Sequence, residues 1–152
     1  MAAVLIENRQ KKIKIDLQRV RRALNKILRN LDCKDKEISL LFVDDEGIRA
    51  INRRFLNRDY STNVISFSMS EGEFGNINPH ILGDIVISVE TAFTDALEAS
   101  IEFDDEIDFL MIHGFLHLIG YNHENTGEDE TIRMENKEKE LFSMLRNRNS
   151  SP

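Results

Sequence analysis

One stretch decides the architecture of this chain, because it combines a helical histidine pair, a glycine and a further histidine. It reads His113-Gly114-Phe115-Leu116-His117-Leu118-Ile119-Gly120-Tyr121-Asn122-His123. His113 and His117 are four residues apart, so on a helix they project from one face, one turn apart. Gly120 tolerates positive φ and can end the helix, which lets His123 return toward the first two imidazoles. Three converging imidazoles with one open position are typical of a catalytic zinc site, so the spacing predicts one.

The same spacing occurs in the metzincin class of zinc peptidases, where two helical histidines precede a glycine and a third histidine. A histidine pair alone is common in helices without metal, and the third histidine behind the glycine is what favours a metal here. Metzincins also carry a glutamate directly after the first histidine, and it acts as the general base. Gly114 occupies that position in this chain. The pattern therefore keeps the ligands but lacks the base, which counts against a metallopeptidase-like hydrolase.

Length and composition indicate one globular domain over residues 1–152, with a frayed tail at about 147–152. Hydrophobic residues make up 41% of the chain and charged residues 31%, a balance typical of folded rather than disordered proteins. No apolar run approaches the ~20 residues of a transmembrane helix, and residues 1–8 lack the basic leader of a signal peptide. The single cysteine, Cys33, suits a reducing compartment. We therefore expect a cytoplasmic protein without a membrane partner.

Charge is distributed unevenly along the chain. Residues 1–58 hold 15 Lys and Arg against 8 Asp and Glu, whereas residues 59–152 hold 5 against 19. This asymmetry predicts a basic surface that could meet phosphate, although two ordinary solvated faces would give the same counts. In the last predicted helix, the basic residues stand among glutamates, and we expect these charges to pair locally. The residues concerned are Arg133, Glu135, Lys137, Glu138, Lys139 and Glu140.

Hydrophobic periodicity predicts about four strands and five helices. The predicted strands cover residues 4–7, 37–43, 63–69 and 82–88, and residues 70–79 are a predicted loop. The predicted helices cover residues 16–31, 44–55, 89–99, 102–119 and 130–145. This order indicates an α/β (α+β) fold in which a mixed sheet packs with the helices. The histidine helix is so rich in apolar residues that we expect it to be central.

The predicted strand 37–43 is apolar on both of its faces. Ile38, Leu40 and Phe42 alternate with Leu41 and Val43. Successive side chains of a strand point to opposite faces of the sheet. We therefore expect both faces of this sheet to be covered by other elements.

Three segments resemble the YbeY family, which comprises bacterial-type metal-dependent endoribonucleases that act in ribosomal RNA maturation. Residues 113–123 are similar to the family pattern His-Gly-x-Leu-His-Leu-x-Gly-Tyr-Asp-His. Residues 62–67, Thr-Asn-Val-Ile-Ser-Phe, are similar to its Thr-(Asp or Asn)-Val-Leu-Ser-Phe, and residues 82–85 to its Leu-Gly-Asp-Ile. The resemblance implies one zinc-type ion on His113, His117 and His123 and a single-stranded RNA substrate.

Three positions depart from that family pattern. Asn122 stands where the family has an aspartate, and Ser61 stands where it usually has a proline. Leu56 occupies the position of a family arginine, whose planar fork would match phosphate oxygens. The resemblance therefore leaves the phosphate-binding arginine open, and we take Arg54 and Arg58 as candidates to replace it.

Two further residues are candidates for the catalytic cleft through the resemblance only. Asp84 follows Gly83, where an aspartate can also serve simply to form a turn. Asn63 lies at the start of a predicted strand, where its side chain can also serve as a strand-end hydrogen-bonding group. Both roles stay open for each residue.

The resemblance, together with the predicted metal site, implies a zinc-dependent, single-strand-specific endoribonuclease that acts in ribosomal RNA processing, including 3′-end maturation of the small-subunit RNA, and in ribosome quality control. Its expected partners are ribosomal RNA and the small ribosomal subunit or associated proteins. The alternative is a ribosome-associated, RNA-binding assembly factor whose metal is structural. That factor would bind through a basic stripe of the first helix, formed by Arg19, Arg22, Lys26 and Arg29.

Overall fold

The computed structural model describes residues 4–69, 80–121 and 128–146. In chain order its elements are β1 (Val4–Asn8), α1 (Leu17–Asn30), β2 (Glu37–Val43), α2 (Asp45–Leu56), β3 (Val64–Ser68), β4 (Ile81–Ser88), α3 (Val89–Ala99), α4 (Phe103–Leu118) and α5 (Glu128–Arg146). Within these residues a four-stranded mixed sheet packs with five helices, which confirms the predicted α+β class. The predictions for the loop 70–79, for Asn122 and His123, and for the tail 147–152 lie outside the described residues.

Side-chain caps explain where three of the helices begin. Asp16 and Asp44 accept hydrogen bonds from the backbone N–H groups of Arg19 and Gly47, at 3.1 and 2.8 Å, and Ser88 caps α3 in the same way. Such caps satisfy donors that the first helical turn leaves unpaired. The observed element boundaries lie within two residues of the predicted ones. None of the helices described is long and apolar enough to cross a membrane.

The strand order in the sheet is β1-β2-β4-β3. Strands β1, β2 and β4 run parallel, and β3 pairs antiparallel with β4 at one edge. The pairing register places Asp84 of β4 between Ser39 of β2 and Phe67 of β3. Because paired residues point to the same face of a sheet, these three side chains form one row.

A hydrophobic core lies on each face of the sheet. The larger core joins one face to α1, α4 and α5, and it includes Ile38, Leu40 and Phe42. The smaller core lies beneath α2 and includes Val43, with Leu41 packed at its margin. The prediction that both faces of the sheet are covered is confirmed.

Helix α4 carries His113 and His117 and packs against β3, β4, α1, α3 and α5. Gly114 allows this helix to approach the sheet closely, because a Cβ atom there would lie 2.9 Å from Ile85 Cγ2. The hydroxyl of Ser66 in β3 donates a hydrogen bond to the Gly114 carbonyl at 3.1 Å. These two contacts fix the distance between the histidine helix and the sheet and the position of the helix over β3 and β4.

Candidate metal centre

The imidazoles of His113 and His117 meet one turn apart on α4. Their ring centroids are 4.7 Å apart with an interplanar angle of 76°. Their Nε2 atoms are 3.2 Å apart. The two nitrogens therefore border the same small volume, as residues four apart on one helix face can do.

This geometry fits a tetrahedral zinc ion. Two nitrogen ligands about 2.0–2.1 Å from zinc at a tetrahedral angle lie about 3.4 Å from each other, close to the observed 3.2 Å. Within the described residues, no three His, Cys, Asp or Glu side chains converge on one point. The third ligand that the sequence predicts, His123, falls outside those residues, so the three-histidine site stays a prediction.

Glu138 of α5 orients the first histidine. Its Oε2 atom lies 2.7 Å from His113 Nδ1, and the residue is only 5% exposed. With an ionised carboxylate, which can only accept, and a neutral imidazole, Nδ1–H would be the donor of this contact and Nε2 would carry the lone pair. A carboxylate behind an imidazole is the usual way in which proteins fix the orientation of a metal-binding histidine.

Glu138 is buried and contacts a different helix, a contact that the expectation of local charge pairing on α5 did not include. Local pairing does occur at Lys137, whose Nζ lies 2.5 Å from Glu140 Oε2. A signal for the burial was present in the sequence, since Glu138 continues the three-and-four spacing of an apolar stripe. The other members of that stripe are Met134, Leu141 and Leu145.

Gly120 ends the histidine helix in the manner expected from the sequence. Its φ angle is +106°, and its N–H donates to the His117 carbonyl at 3.2 Å. The N–H of Tyr121 reaches back to the Leu116 carbonyl at 2.9 Å. This pair of hydrogen bonds is a Schellman motif, which reverses the chain after the last turn of a helix.

The position that holds the general base in metzincins faces the sheet in this fold. A Cβ atom on Gly114 would contact Ile85, and it would also lie 3.1 Å from Ser66 Oγ. A glutamate built there would meet packed side chains instead of the space between the two imidazoles. The structure therefore gives a steric reason for the missing peptidase base.

Arg54 and Asp84 lie on the other side of the sheet from the histidine pair. In β4, Ile85 contacts α4, and strand alternation turns its neighbour Asp84 toward α2. Arg54 belongs to α2 and lines the same groove as Asp84. The structure thus brings these two candidates together, but not with His113 and His117.

Arg58 and Asn63 lie in the segment that joins α2 to β3. Arg58 is exposed and its backbone N–H donates to the Asn52 carbonyl at 3.2 Å, while the Asn63 carbonyl accepts from the Ser88 N–H at 2.9 Å. The buried Asn52 side chain also anchors this segment, because its Nδ2 donates to the Tyr60 carbonyl at 3.0 Å. The sequence assigned no role to Asn52, although it begins the stretch 52–56 that resembles the family's Asn-x-x-Tyr-Arg pattern.

The basic stripe of α1 divides into two parts. Arg19 is largely buried and donates to both carboxylate oxygens of Asp108 on α4, at 2.9 and 3.2 Å. It therefore fixes α1 to the histidine helix and is not part of a free basic surface. Arg22, Lys26 and Arg29 line an open pocket together with Lys34.

Comparison with known proteins identifies the family. The chain matches the family model described as Endoribonuclease YbeY over residues 5–146. Endoribonuclease YbeY of Syntrophus aciditrophicus is 61% identical over 143 residues, covering 94% of this chain and 89% of that protein. The protein of the same name from Geobacter sulfurreducens is 49% identical over 144 residues, with coverages of 95% and 96%.

The fold also has a counterpart among solved structures. The solution structure of TM1509 from Thermotoga maritima superposes with a TM-score of 0.63 at 22% identity, covering 98% of this chain and 95% of that one. At this identity the likeness concerns the fold alone. The family model and the relatives, by contrast, align with nearly the whole sequence. This chain therefore belongs to the YbeY family.

Proposed function

We propose that this protein is a zinc-dependent endoribonuclease that cleaves phosphodiester bonds in single-stranded RNA. Relatives that align with almost the whole chain are named endoribonucleases, which supports the reaction class. The observation that carries the proposal is the 3.2 Å separation of two imidazole Nε2 atoms, with a buried carboxylate behind one of the rings. A pair of imidazoles with a carboxylate behind one of them supports a metal site, and three histidine ligands would leave one coordination position open for chemistry.

We propose that His113, His117 and His123 hold the zinc ion. A bound zinc ion would supply Lewis acidity toward a phosphoryl oxygen and toward water. Glu138 acts as a positioning residue, since it contacts Nδ1 of His113 and not the Nε2 side of the ring. It keeps a proton at Nδ1 and thereby keeps Nε2 free to bind the metal.

Arginines near the end of α2 are proposed to hold the phosphate chain. Leu56, in the position of the family arginine, is 39% exposed and carries no charge. Arg54 and Arg58 are exposed on either side of it. Arg49 is a poorer candidate, because its Nε already lies 2.9 Å from Asp59 Oδ1.

We further propose a role in ribosomal RNA processing, including 3′-end maturation of the small-subunit RNA and ribosome quality control, in the cytoplasm. Four cations on or near α1 support a polyanionic partner such as ribosomal RNA in the small subunit. These cations are Arg22, Lys26, Arg29 and Lys34. Within the described part of the chain, their side chains make no hydrogen bond or ion pair.

The same four cations support a second candidate, an RNA-binding assembly factor whose metal is structural. The neutral Leu56 favours this candidate, since a binder has no need of an arginine at the reacting phosphate. Gly114 disfavours the metallopeptidase-like alternative, because the space for a catalytic glutamate is filled by the sheet.

Single-turnover cleavage of end-labelled single-stranded RNA separates the enzyme from the binder. We expect cleavage by the native protein, loss of cleavage after chelation, and recovery when zinc is returned. His117→Ala should be inactive throughout, whereas His80→Ala, which changes an exposed histidine outside α4, should behave as the wild type. Tight RNA binding without cleavage under all of these conditions would support the assembly factor and contradict the nuclease.

A further inference from the structure

A second concave surface lies on the α2 face of the sheet, away from the histidine pair. It is a groove of about 650 Å³ that runs beside the C-terminal half of α2 and crosses all four strands. Leu41, Phe67, Asp84 and Val86 of the strands and Arg54 and Phe55 of α2 line it, and Arg9 lines it just beyond the end of β1. The candidate metal centre shares none of these residues.

The floor of the groove is apolar and ends at an exposed aromatic ring. Leu41, Val86 and Phe67 form the floor. Phe55 stands at the side with 61% of its surface exposed, and its ring meets Phe67 edge to face at 5.9 Å. An exposed ring held in place by a second ring provides a stacking surface, which every nucleobase can use.

A carboxylate lies in the floor without a partner. Asp84 is exposed between Ser39 and Phe67 in the strand register. Among residues 4–69, 80–121 and 128–146, its side chain makes no hydrogen bond and no ion pair. An ionised carboxylate offers acceptors only, so this position suits a ligand that presents N–H donors.

Two cations stand around the groove. The Arg54 guanidinium lies 5.3 Å from the centre of the Phe55 ring, and Arg9 pairs with Glu7 at 2.6 Å near the β1 end. Arginine can bind phosphate oxygens while its stem packs beside an aromatic ring. Since Arg9 is already paired with Glu7, the groove combines a stacking ring, an acceptor and one available phosphate-binding group, Arg54.

We infer that this groove binds one nucleotide of the RNA substrate outside the cleavage site. The base stacks on Phe55 and donates an amino N–H to Asp84, while Arg54 holds the adjoining phosphate. This inference rests on the proposed function for the identity of the ligand as RNA. In the described sheet β3 is the edge strand, so the groove face and the face that carries α4 adjoin at β3.

Cytosine and uracil provide a sharp test of the carboxylate. The two bases have the same ring size, but cytosine carries an amino donor at position 4 where uracil carries a carbonyl acceptor. The wild-type protein should therefore bind an oligocytidine octamer more tightly than an oligouridine octamer. Asp84→Asn should lose this preference, because an amide can serve either base as donor or as acceptor.

The experiment measures equilibrium binding of both labelled octamers in the presence of chelator, where no cleavage is expected. Phe55→Ala should weaken binding of both octamers by about tenfold, the effect of one lost stacking contact. Phe93→Ala, at a 41% exposed phenylalanine of α3, is the matched control and should bind as the wild type. Far-ultraviolet circular dichroism verifies that each variant is folded.

Two results would overturn the groove assignment. One is unchanged RNA affinity in Phe55→Ala, as expected if the groove takes a peptide or no ligand. The other is an Asp84→Asn variant that keeps the wild-type base preference. Neither result depends on cleavage, so the binding groove and the nuclease activity are tested independently. His117→Ala should stop cleavage and leave this base preference intact.

Discussion

Glu138 Oε2 lies 2.7 Å from His113 Nδ1, so a carboxylate on α5 fixes an imidazole on α4 across 25 positions of the sequence. The Glu138 side chain is buried and that of His113 is half-buried, with exposures of 7% and 24%. A buried carboxylate is costly unless it is hydrogen-bonded. The position is therefore better explained by its contact with the histidine than by the stability of α5.

Replacing Glu138 should weaken metal binding more than it weakens the fold. For Glu138→Gln we expect zinc affinity to fall by about 10–100-fold, the usual cost of losing the group behind a metal-binding histidine. Competition with a chromophoric chelator measures this affinity. Glu140→Gln, on the exposed side of the same helix, is the control and should match the wild type. Equal zinc affinities in the two variants would contradict the role of Glu138 in positioning His113 for metal binding.

Gly114→Ala should destabilise the protein although alanine is the better helix former. The propensity gain is about 1 kcal/mol, but the new Cβ would lie 2.9 Å from Ile85 Cγ2. Overpacking of this kind costs about 1–3 kcal/mol, so we expect the free energy of unfolding to be lower. Urea unfolding measures the change in the free energy of unfolding. A variant more stable than the wild type would contradict the close packing of α4 on the sheet.

Gly114→Glu rebuilds the metzincin motif in the sequence but should not create a peptidase. The introduced side chain would be directed at Ile85 and Ser66 and not at the imidazole pair. A casein cleavage assay with zinc-loaded protein should therefore give no signal above the wild type. Measurable proteolysis would mean that the glutamate reaches the metal site and that the steric argument is wrong.

Charge reversal at Arg53, Arg54 and Arg58 should weaken binding to single-stranded RNA and flatten its dependence on salt. Each phosphate contact that is lost reduces the logarithmic salt slope by about 0.7. The comparison is a triple reversal on α5, at Arg133, Lys137 and Lys139, which should have a much smaller effect. Lys137 is already paired with a glutamate there. Identical affinities and slopes for the two variants would place the phosphate-binding surface elsewhere.

Glu106 should make stability depend on pH. Burial, and to a lesser degree the nearby Asp95 carboxylate, raises the pKa of Glu106 above its ordinary value. The folded protein therefore keeps this proton at pH values where the unfolded chain has lost it, so stability falls as pH rises from about 4.3 through the raised pKa.

Glu106→Gln removes this titration. The variant should be more stable than the wild type at neutral pH, and the difference should shrink as the pH is lowered toward about 4. Urea unfolding at several pH values measures it, with Glu98→Gln on the exposed surface of α3 as the control. A stability difference that does not change with pH would contradict the raised pKa.

The sequence was most informative where neighbouring residues determine the structure. The four-residue spacing of His113 and His117 and the glycine at position 120 sufficed to predict a shared helix face and a helix end. Both depend on the backbone geometry of one helix. The nearly continuous apolar run in β2 likewise predicted a sheet covered on both faces.

Long-range contacts could not be predicted in the same way. The hydrogen-bond partner of Glu138 is on another helix. Arg19 has the sequence position of a surface cation, but its guanidinium binds Asp108 of α4. Whether Asp84 lies on the α2 face of the sheet, with Arg54, or on the α4 face, with the histidines, depends on which alternate residues of β4 contact α4. That choice is made by tertiary packing, and one sequence does not reveal it.

Titration of metal-free protein with zinc, followed by single-stranded RNA cleavage, tests the central claim most directly. We expect metal-free protein to be inactive, cleavage to rise with added zinc, and the rate to reach its plateau at one zinc ion per chain. His117→Ala should stay inactive over the same range. Full-rate cleavage by the metal-free protein, or by this variant, would contradict a metal-dependent nuclease centred on His113 and His117.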